Sequence, residues 1–249
     1  MHLFFLFATL AASDSLGQAA FGGGQYREAK QHFERALGLA EDAPAEARAA
    51  VIANLGQACQ ALGEFARAEQ LYRQALDATP GRAPVWHLLG GVLTQQRRFD
   101  EAEDALRRAT ALPDAGTGAS AARSDLALIL AARGKRREAV DLLEQAIAVS
   151  RAGQPRARML ANLGELLFKL GQRAQAVAAL QQSVAEMEAA VGPAHPDMAE
   201  VLRVYGGVLH KSGRKGEAKD LSKRAEAIRS SLTLQTNANR TTVDYRDLK

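Results

Sequence analysis

The 249-residue chain is poor in the residues that several protein classes require. It holds one cysteine, which excludes an internal disulfide framework and a cysteine-based zinc knuckle. Aromatic residues make up only 5 % of the chain and β-branched residues are scarce, so strand signals are absent and dinucleotide folds are disfavoured. The longest apolar run, Leu3–Ala12 (LFFLFATLAA), is too short to span a bilayer, and no later stretch is long and apolar enough. Charge of either sign is nearly balanced, with 32 Lys+Arg against 28 Asp+Glu and a formal net of +4.

Alanine and leucine are abundant: 51 Ala and 32 Leu make up a third of the chain. Both are strong helix formers, so a mainly helical protein is expected. With 47 % hydrophobic residues the chain can bury a core and is not wholly disordered.

The run Leu3–Ala12 has the length of a signal-peptide h-region and is followed by small residues, Ala11, Ala12 and Ser13. A positively charged segment before it is missing, since only His2 precedes the run. Residues 1–12 therefore read either as a signal peptide, which would place the protein in the periplasm or outside the cell, or as the start of the first helix of a cytoplasmic protein. No cysteine follows the run, which excludes a lipoprotein anchor there. Cys59 lies in a helical core pattern and reads as a small buried hydrophobe.

A segment repeats. LGQAAFGGGQYREAKQHFERAL (Leu16–Leu37) recurs as LGQACQALGEFARAEQLYRQAL (Leu55–Leu76) and as LGGVLTQQRRFDEAEDALRRAT (Leu89–Thr110). Weaker copies start at Leu126, Leu163 and Tyr205. The alanines Ala29, Ala68, Ala102, Ala139, Ala176 and Ala218 mark the register, at intervals of 39, 34, 37, 37 and 42 residues. Small residues recur at Gly17, Gly56, Gly90, Ala127, Gly164 and Gly206, where two helices of one repeat would cross closely. Seven residues further stand Gly24, Gly63, Gly134, Gly171 and Gly213, suited to ending the first helix in a left-handed residue. The third repeat has Arg97 there, so its turn is expected to be built differently. Four residues after each marker alanine come Phe33, Tyr72, Leu106, Leu143, Leu180 and Ser222. Three further on stand Ala36, Ala75, Ala109, Ala146, Ser183 and Ala225. Large and small residues alternating on one face let successive helices interlock. Pro80 and Pro113 close the second helices of repeats two and three.

This pattern resembles the tetratricopeptide repeat (TPR) family, and the third repeat carries Trp86-x-x-Leu89-Gly90. The last unit is similar to the longer kinesin-light-chain type. The expected fold is an all-α solenoid of six helix–turn–helix repeats at 10–43, 49–82, 83–116, 120–153, 157–190 and 199–232, sharing one core as a single domain. The resemblance implies a right-handed superhelix. The tail, 233–249, is polar, has lost the helical period and reads as flexible. Asn239-Arg240-Thr241 matches the short N-glycosylation pattern.

Nothing converges for catalysis. The five histidines have no metal-ligand spacing and none pairs with the cysteine. His195-Pro196-Asp197 reads as a helix start, with Asp197 as the cap. Gly22-Gly23-Gly24 lacks a phosphate loop's Gly-Lys-Ser/Thr ending and is the loop of a helical hairpin. The chain ends soon after the last repeat, which leaves no expected room for a catalytic domain. No enzyme activity, cofactor or metal is expected.

Binding remains. The resemblance implies that the first helices of successive repeats line a concave groove for a peptide or protein partner. Its positions here are Gln18 and Phe21; Asn54, Gln57 and Gln60; His87 and Thr94; Arg158, Asn162, Glu165, Phe168 and Lys169; then Arg203, His210 and Lys211. Asn54 and Asn162 stand where many TPRs hold the ligand's main chain with an amide, which both donates and accepts. The positions of the chaperone-type carboxylate clamp carry Asp14, Gln18, Asn54, Pro84 and Leu88, of which one of five matches, so chaperone tails are disfavoured.

The charge is uneven. Residues 1–198 carry 21 basic and 22 acidic residues, whereas 199–232 carry eight and four, so the surplus sits in the last repeat. Arg203, His210 and Lys211 share one helix face, and Lys215, Lys219 and Lys223 another. This basic end reads as a solvated solenoid cap or as a docking site for an acidic partner. Nucleic-acid or anionic-polymer binding there is the alternative, weakened by the neutral remainder of the chain and by the lack of a stacking aromatic in each repeat.

Overall fold

The computed structural model describes the backbone of residues 2–112 and 117–241, and the side chains of 9–112 and 119–231. The described residues form twelve helices and no strand. They are α1 (His2–Gly22), α2 (Tyr26–Gly38), α3 (Ala45–Ala61), α4 (Phe65–Ala78), α5 (Ala83–Gln95), α6 (Phe99–Ala111), α7 (Thr117–Ala132), α8 (Arg136–Val149), α9 (Gln154–Lys169), α10 (Arg173–Val191), α11 (Pro196–Lys211) and α12 (Lys215–Thr241).

The chain divides into two compact units, residues 1–129 and 130–249. In a solenoid each repeat touches only its neighbours, so a cut through any one helix severs few contacts. In the first unit α1 packs on α2, α3 on α4 and α5 on α6; α2 meets α3 and α4 meets α5. The first helices also touch along their row, α1 with α3 and α3 with α5. The second unit repeats the plan: α9 on α10, α11 on α12, α10 against α11, and α9 against α11.

The small-residue lattice is the core. The marker alanines Ala29, Ala68, Ala102, Ala139 and Ala176 are fully buried, and Ala218 is 4 % exposed. Phe33, Tyr72, Leu106, Leu143 and Leu180 are buried with them. Ser183, the one hydroxyl among the small positions three residues on, is also fully buried. Its Oγ donates to Ala157 O at 2.6 Å, tying α10 to α9, so burial leaves no orphaned hydroxyl.

Five turn glycines adopt left-handed φ between +76° and +85°. The third repeat corrects an expectation. Its turn has the same build as the others, with Arg97 itself at φ +63°, the one non-glycine residue at positive φ among those described. Arg98 N donates to Leu93 O at 2.9 Å, just as Glu64 N donates to Cys59 O at 2.9 Å in the repeat before. The packing of α5 on α6 therefore imposes a conformation that a side chain resists.

Two further expectations change at the carboxyl-terminal end. α11 is capped by His195, whose Nδ1 accepts from Asp197 N at 3.2 Å; Asp197 lies inside the first turn instead of capping it. α12 continues to Thr241, so 233–241 is helical, because no glycine or proline follows Gly216 to stop it. Residues 242–249 of the tail lie outside the described residues, as does Pro113. Leu112 before that proline is extended (φ −77°, ψ 141°), as a residue preceding proline is driven to be. At the amino-terminal end α1 starts at His2 and runs through the signal-like segment. Leu10 is buried and Ser13 Oγ donates to His32 O at 3.0 Å, so 10–13 are built into the first hairpin.

Candidate functional site

In the first unit the row of first helices brings several expected groove residues together. Gln18 and Phe21 come from α1; Asn54 and Gln57 lie one turn apart on α3. With Phe33 of α2 they line a cleft of about 230 Å³. The helix period puts positions three and four apart on the same face, which places Asp14 one turn before Gln18. Asp14 joins the two helices: Gln18 Nε2 donates to its Oδ2 at 2.7 Å and Asn54 Nδ2 to its Oδ1 at 2.9 Å. Phe21 is half-buried and packs on Tyr26 with ring centroids 5.2 Å apart at 60°.

Next along the row, Gln60 is held from two sides. It accepts from Tyr72 Oη at 2.8 Å and donates to Gln95 Oε1 at 2.9 Å. Burial, then the nearby Cys59, pushes the Tyr72 phenol well above its ordinary pKa, so it stays a donor. Burial, then the neighbouring Glu64, likewise pushes the Cys59 thiol up to about 11. Cys59 is fully buried, as a small hydrophobe would be. His87 Nε2 lies 2.8 Å from Asp125 Oδ2 and so joins α5 to α7. Thr94 is half-buried and donates to Gly90 O, one turn back on its own helix, at 2.8 Å.

In the second unit Arg158 Nη2 lies 2.6 Å from Asp197 Oδ2, and Gln154 also donates to that carboxylate. Burial alone would raise the Asp197 pKa, but these two hydrogen bonds hold it below the ordinary carboxylate value. Glu165 pairs with Lys169 at 2.7 Å, one turn along α9. Arg203 pairs with Glu200 on α11. Asn162 and Phe168 are half-buried, while His210 and Lys211 are exposed. Lys215, Lys219 and Lys223 are exposed on α12 and form no ion pair among the described residues.

Asp14 stands at a clamp position in the sequence, but its role as the partner of Gln18 and Asn54 is not read there, and Gln95 and Asp125 are not among the expected groove residues. Asp14 and Gln18 at i,i+4 were the available signal for the Asp14 role. Among the described residues no three His, Cys, Asp or Glu side chains gather as a metal site. No helix among them is long and apolar enough to cross a membrane.

Residues 7–240 match the family model described as "Cilia and flagella-associated protein 70 C-terminal domain", a TPR domain. No curated protein sequence matches the chain significantly. Solved structures share its fold. PilF of Pseudomonas aeruginosa is 21 % identical over 97 % of both chains, with a TM-score of 0.68. BtubC (BKLC) from P. vanneervenii is 20 % identical over 92 % of both, also at 0.68. YrrB, described as a TPR protein with an unusual peptide-binding site, is 17 % identical over 84 % of this chain and 97 % of its own, at 0.58.

Proposed function

The chain belongs to this tetratricopeptide-repeat family of the cilia and flagella-associated protein 70 C-terminal domain, and from that premise we propose that it is a non-enzymatic scaffold. It holds a peptide or protein partner on the row of first helices. The observation that carries this reading is the cleft of Gln18, Phe21, Asn54 and Gln57. There amides and an aromatic ring face one space, which suits a main chain and an apolar side chain together. A fold relative whose description includes a peptide-binding site supports the class of ligand. Crosslinking in the native host tests it. A partner lost on Asn54→Ala with Asn162→Ala supports the groove. Undiminished crosslinking, with loss only on changes to second-helix residues such as Arg67, rejects it.

An acidic partner segment docks near the last repeat. The exposed, unpaired Lys215, Lys219 and Lys223 motivate this, since such charges steer encounter more than they hold the complex. Replacing all three by glutamine should slow association and flatten its salt dependence. If neither changes, the lysines are a solvated cap. Export is a separate proposal, resting on the length of the apolar run Leu3–Ala12. A mature amino terminus near Ser13 supports it, and one at Met1 overturns it.

A further inference from the structure

The hydrogen bonds beside the first-unit cleft hold a carboxylate that has no charged partner among the described residues. Asn54 and Gln18 each spend an N–H on the two oxygens of Asp14. That fixes the orientation of both amides: their carbonyl oxygens, Asn54 Oδ1 and Gln18 Oε1, receive no donor among the described residues. Asp14 is half-buried and forms no ion pair among them. The Phe21 ring lines the same space, steadied by Tyr26. The cleft, with the Asp14 carboxylate bonded to two of its lining side chains, thus brings together an unpaired negative charge, two free amide oxygens and an aromatic face. Each of these amides keeps a further N–H and Gln57 adds its own, so a main chain can bond here; the unpaired carboxylate and the Phe21 ring ask in addition for a positive charge and a flat shape.

We propose that the cleft accepts an arginine side chain of the bound partner. The inference rests on the groove reading above. A guanidinium offers five N–H donors in a rigid plane, carries its charge at every accessible pH and stacks on aromatic faces. It would donate to Asp14 and the amide oxygens while lying along Phe21. A lysine ammonium supplies the charge without the plane. The position is also the reverse of a carboxylate clamp, since Asp14 puts negative charge where such a clamp needs positive.

The test uses the full chain and capped five-residue peptides, all alanine except for a central arginine, citrulline, lysine or glutamate. Citrulline keeps the shape of arginine without its charge. Binding is followed by the side-chain amide NMR signals of Gln18, Asn54 and Gln57. The arginine peptide should bind roughly tenfold tighter than the citrulline peptide, the scale of a charge-assisted hydrogen bond at a partly exposed site. Asp14→Asn should remove that preference, and so should about 0.5 M salt in the unaltered protein, which does not depend on the variant folding. Equal binding of arginine and citrulline, equal binding of lysine and arginine, or a preference that survives both the substitution and salt overturns the proposal. If all peptides shift the cleft signals equally, the groove reading stands and only the arginine inference falls. If none shifts them, both fall.

Discussion

Gly56 lies directly beneath the ring of Tyr72: a Cβ added there would stand 2.6 Å from Cε1 and 2.9 Å from Cδ1. The pair is sixteen residues apart, and the same relation recurs. Gly17 lies under Phe33 at 2.5 Å, Gly90 under Leu106 at 2.6 Å and Gly164 under Leu180 at 2.6 Å. Each glycine lets the two helices of one repeat approach until the large side chain rests on backbone. In the last repeat the partner is the exposed Ser222, and the nearest atom to a Cβ on Gly206 is 3.4 Å away. Gly56→Ala should therefore cost about 1–3 kcal/mol by overpacking. Gly206→Ala should be neutral or stabilise by about 0.5–1 kcal/mol through helix propensity. Chemical unfolding of the two variants measures this, and a larger loss at Gly206 would refute the assignment of the close crossings.

Ala68 and Ala102 sit four residues before Tyr72 and Leu106, fully buried at the same crossings. Enlarging either to leucine should cost about 1–3 kcal/mol, since the interior has no space for three more carbons. Melting both variants beside the wild type is sufficient. Unchanged midpoints would show that these alanines do not stand in the core.

Arg97 holds its turn at φ +63° against its own side chain. Left-handed backbone costs a residue with a Cβ about 1–2 kcal/mol, part of which glycine returns as chain entropy in the unfolded state. Arg97→Gly should stabilise the protein by about 0.5–1 kcal/mol. Gly63→Ala, at φ +79° in the preceding repeat, should do the opposite. A midpoint shift of the same sign for both would contradict the shared turn.

Much of this architecture was legible because it repeats. The marker alanines, the turn glycines and the large residues at Phe33 through Leu180 stand in register in the chain itself, and physical reasons for small, flexible and bulky residues identify each. What did not repeat was harder to read. Arg97 looked like a different turn because residue preference was taken for backbone geometry, whereas tertiary packing overrode it. His195 went unread as a cap because caps are sought among short polar side chains, and Asp197 stood beside it. Loss of the helical period after 232 reads as a flexible tail, yet no breaker stops α12 before Thr241. Residues of the cleft were found by their places in the repeat. Asp14, which binds two of them, lies forty residues from Asn54, and nothing local announces that contact.

Asp197 gives the stability a specific acid limb. Burial disfavours its charge, yet Gln154 and Arg158 bind the ionised form and bring its pKa below the ordinary value of 3.8. A depressed carboxylate contributes stability that is complete above its unfolded pKa and lost as the pH falls through the folded one. The contribution should therefore be constant from pH 7 down to about 5, begin to fall as the pH approaches the ordinary value of 3.8, and be lost only below the depressed folded value. Asp197→Asn should lower stability at neutral pH and flatten the curve in the acid range. Melting temperatures of both proteins across that range decide it, and parallel curves would mean that the pair with Arg158 does not matter.

Trp86 is the single tryptophan, and it reports on one joint of the first unit. Its Nε1 donates to Pro80 O at 2.8 Å, which fastens α5 to the loop before it. The guanidinium of Arg108 on α6 stands 4.8 Å from the ring centroid, a cation–π contact that covers the indole face. Removing the guanidinium in Arg108→Ala leaves the Pro80 bond in place but opens that face to water. The variant should lose about 0.5–1 kcal/mol and shift native emission to longer wavelength, while its unfolded spectrum stays that of the wild type. Emission at the wild-type wavelength would mean that Arg108 does not shield the ring in solution, and the contact would then carry no part of the packing of α5 on α6.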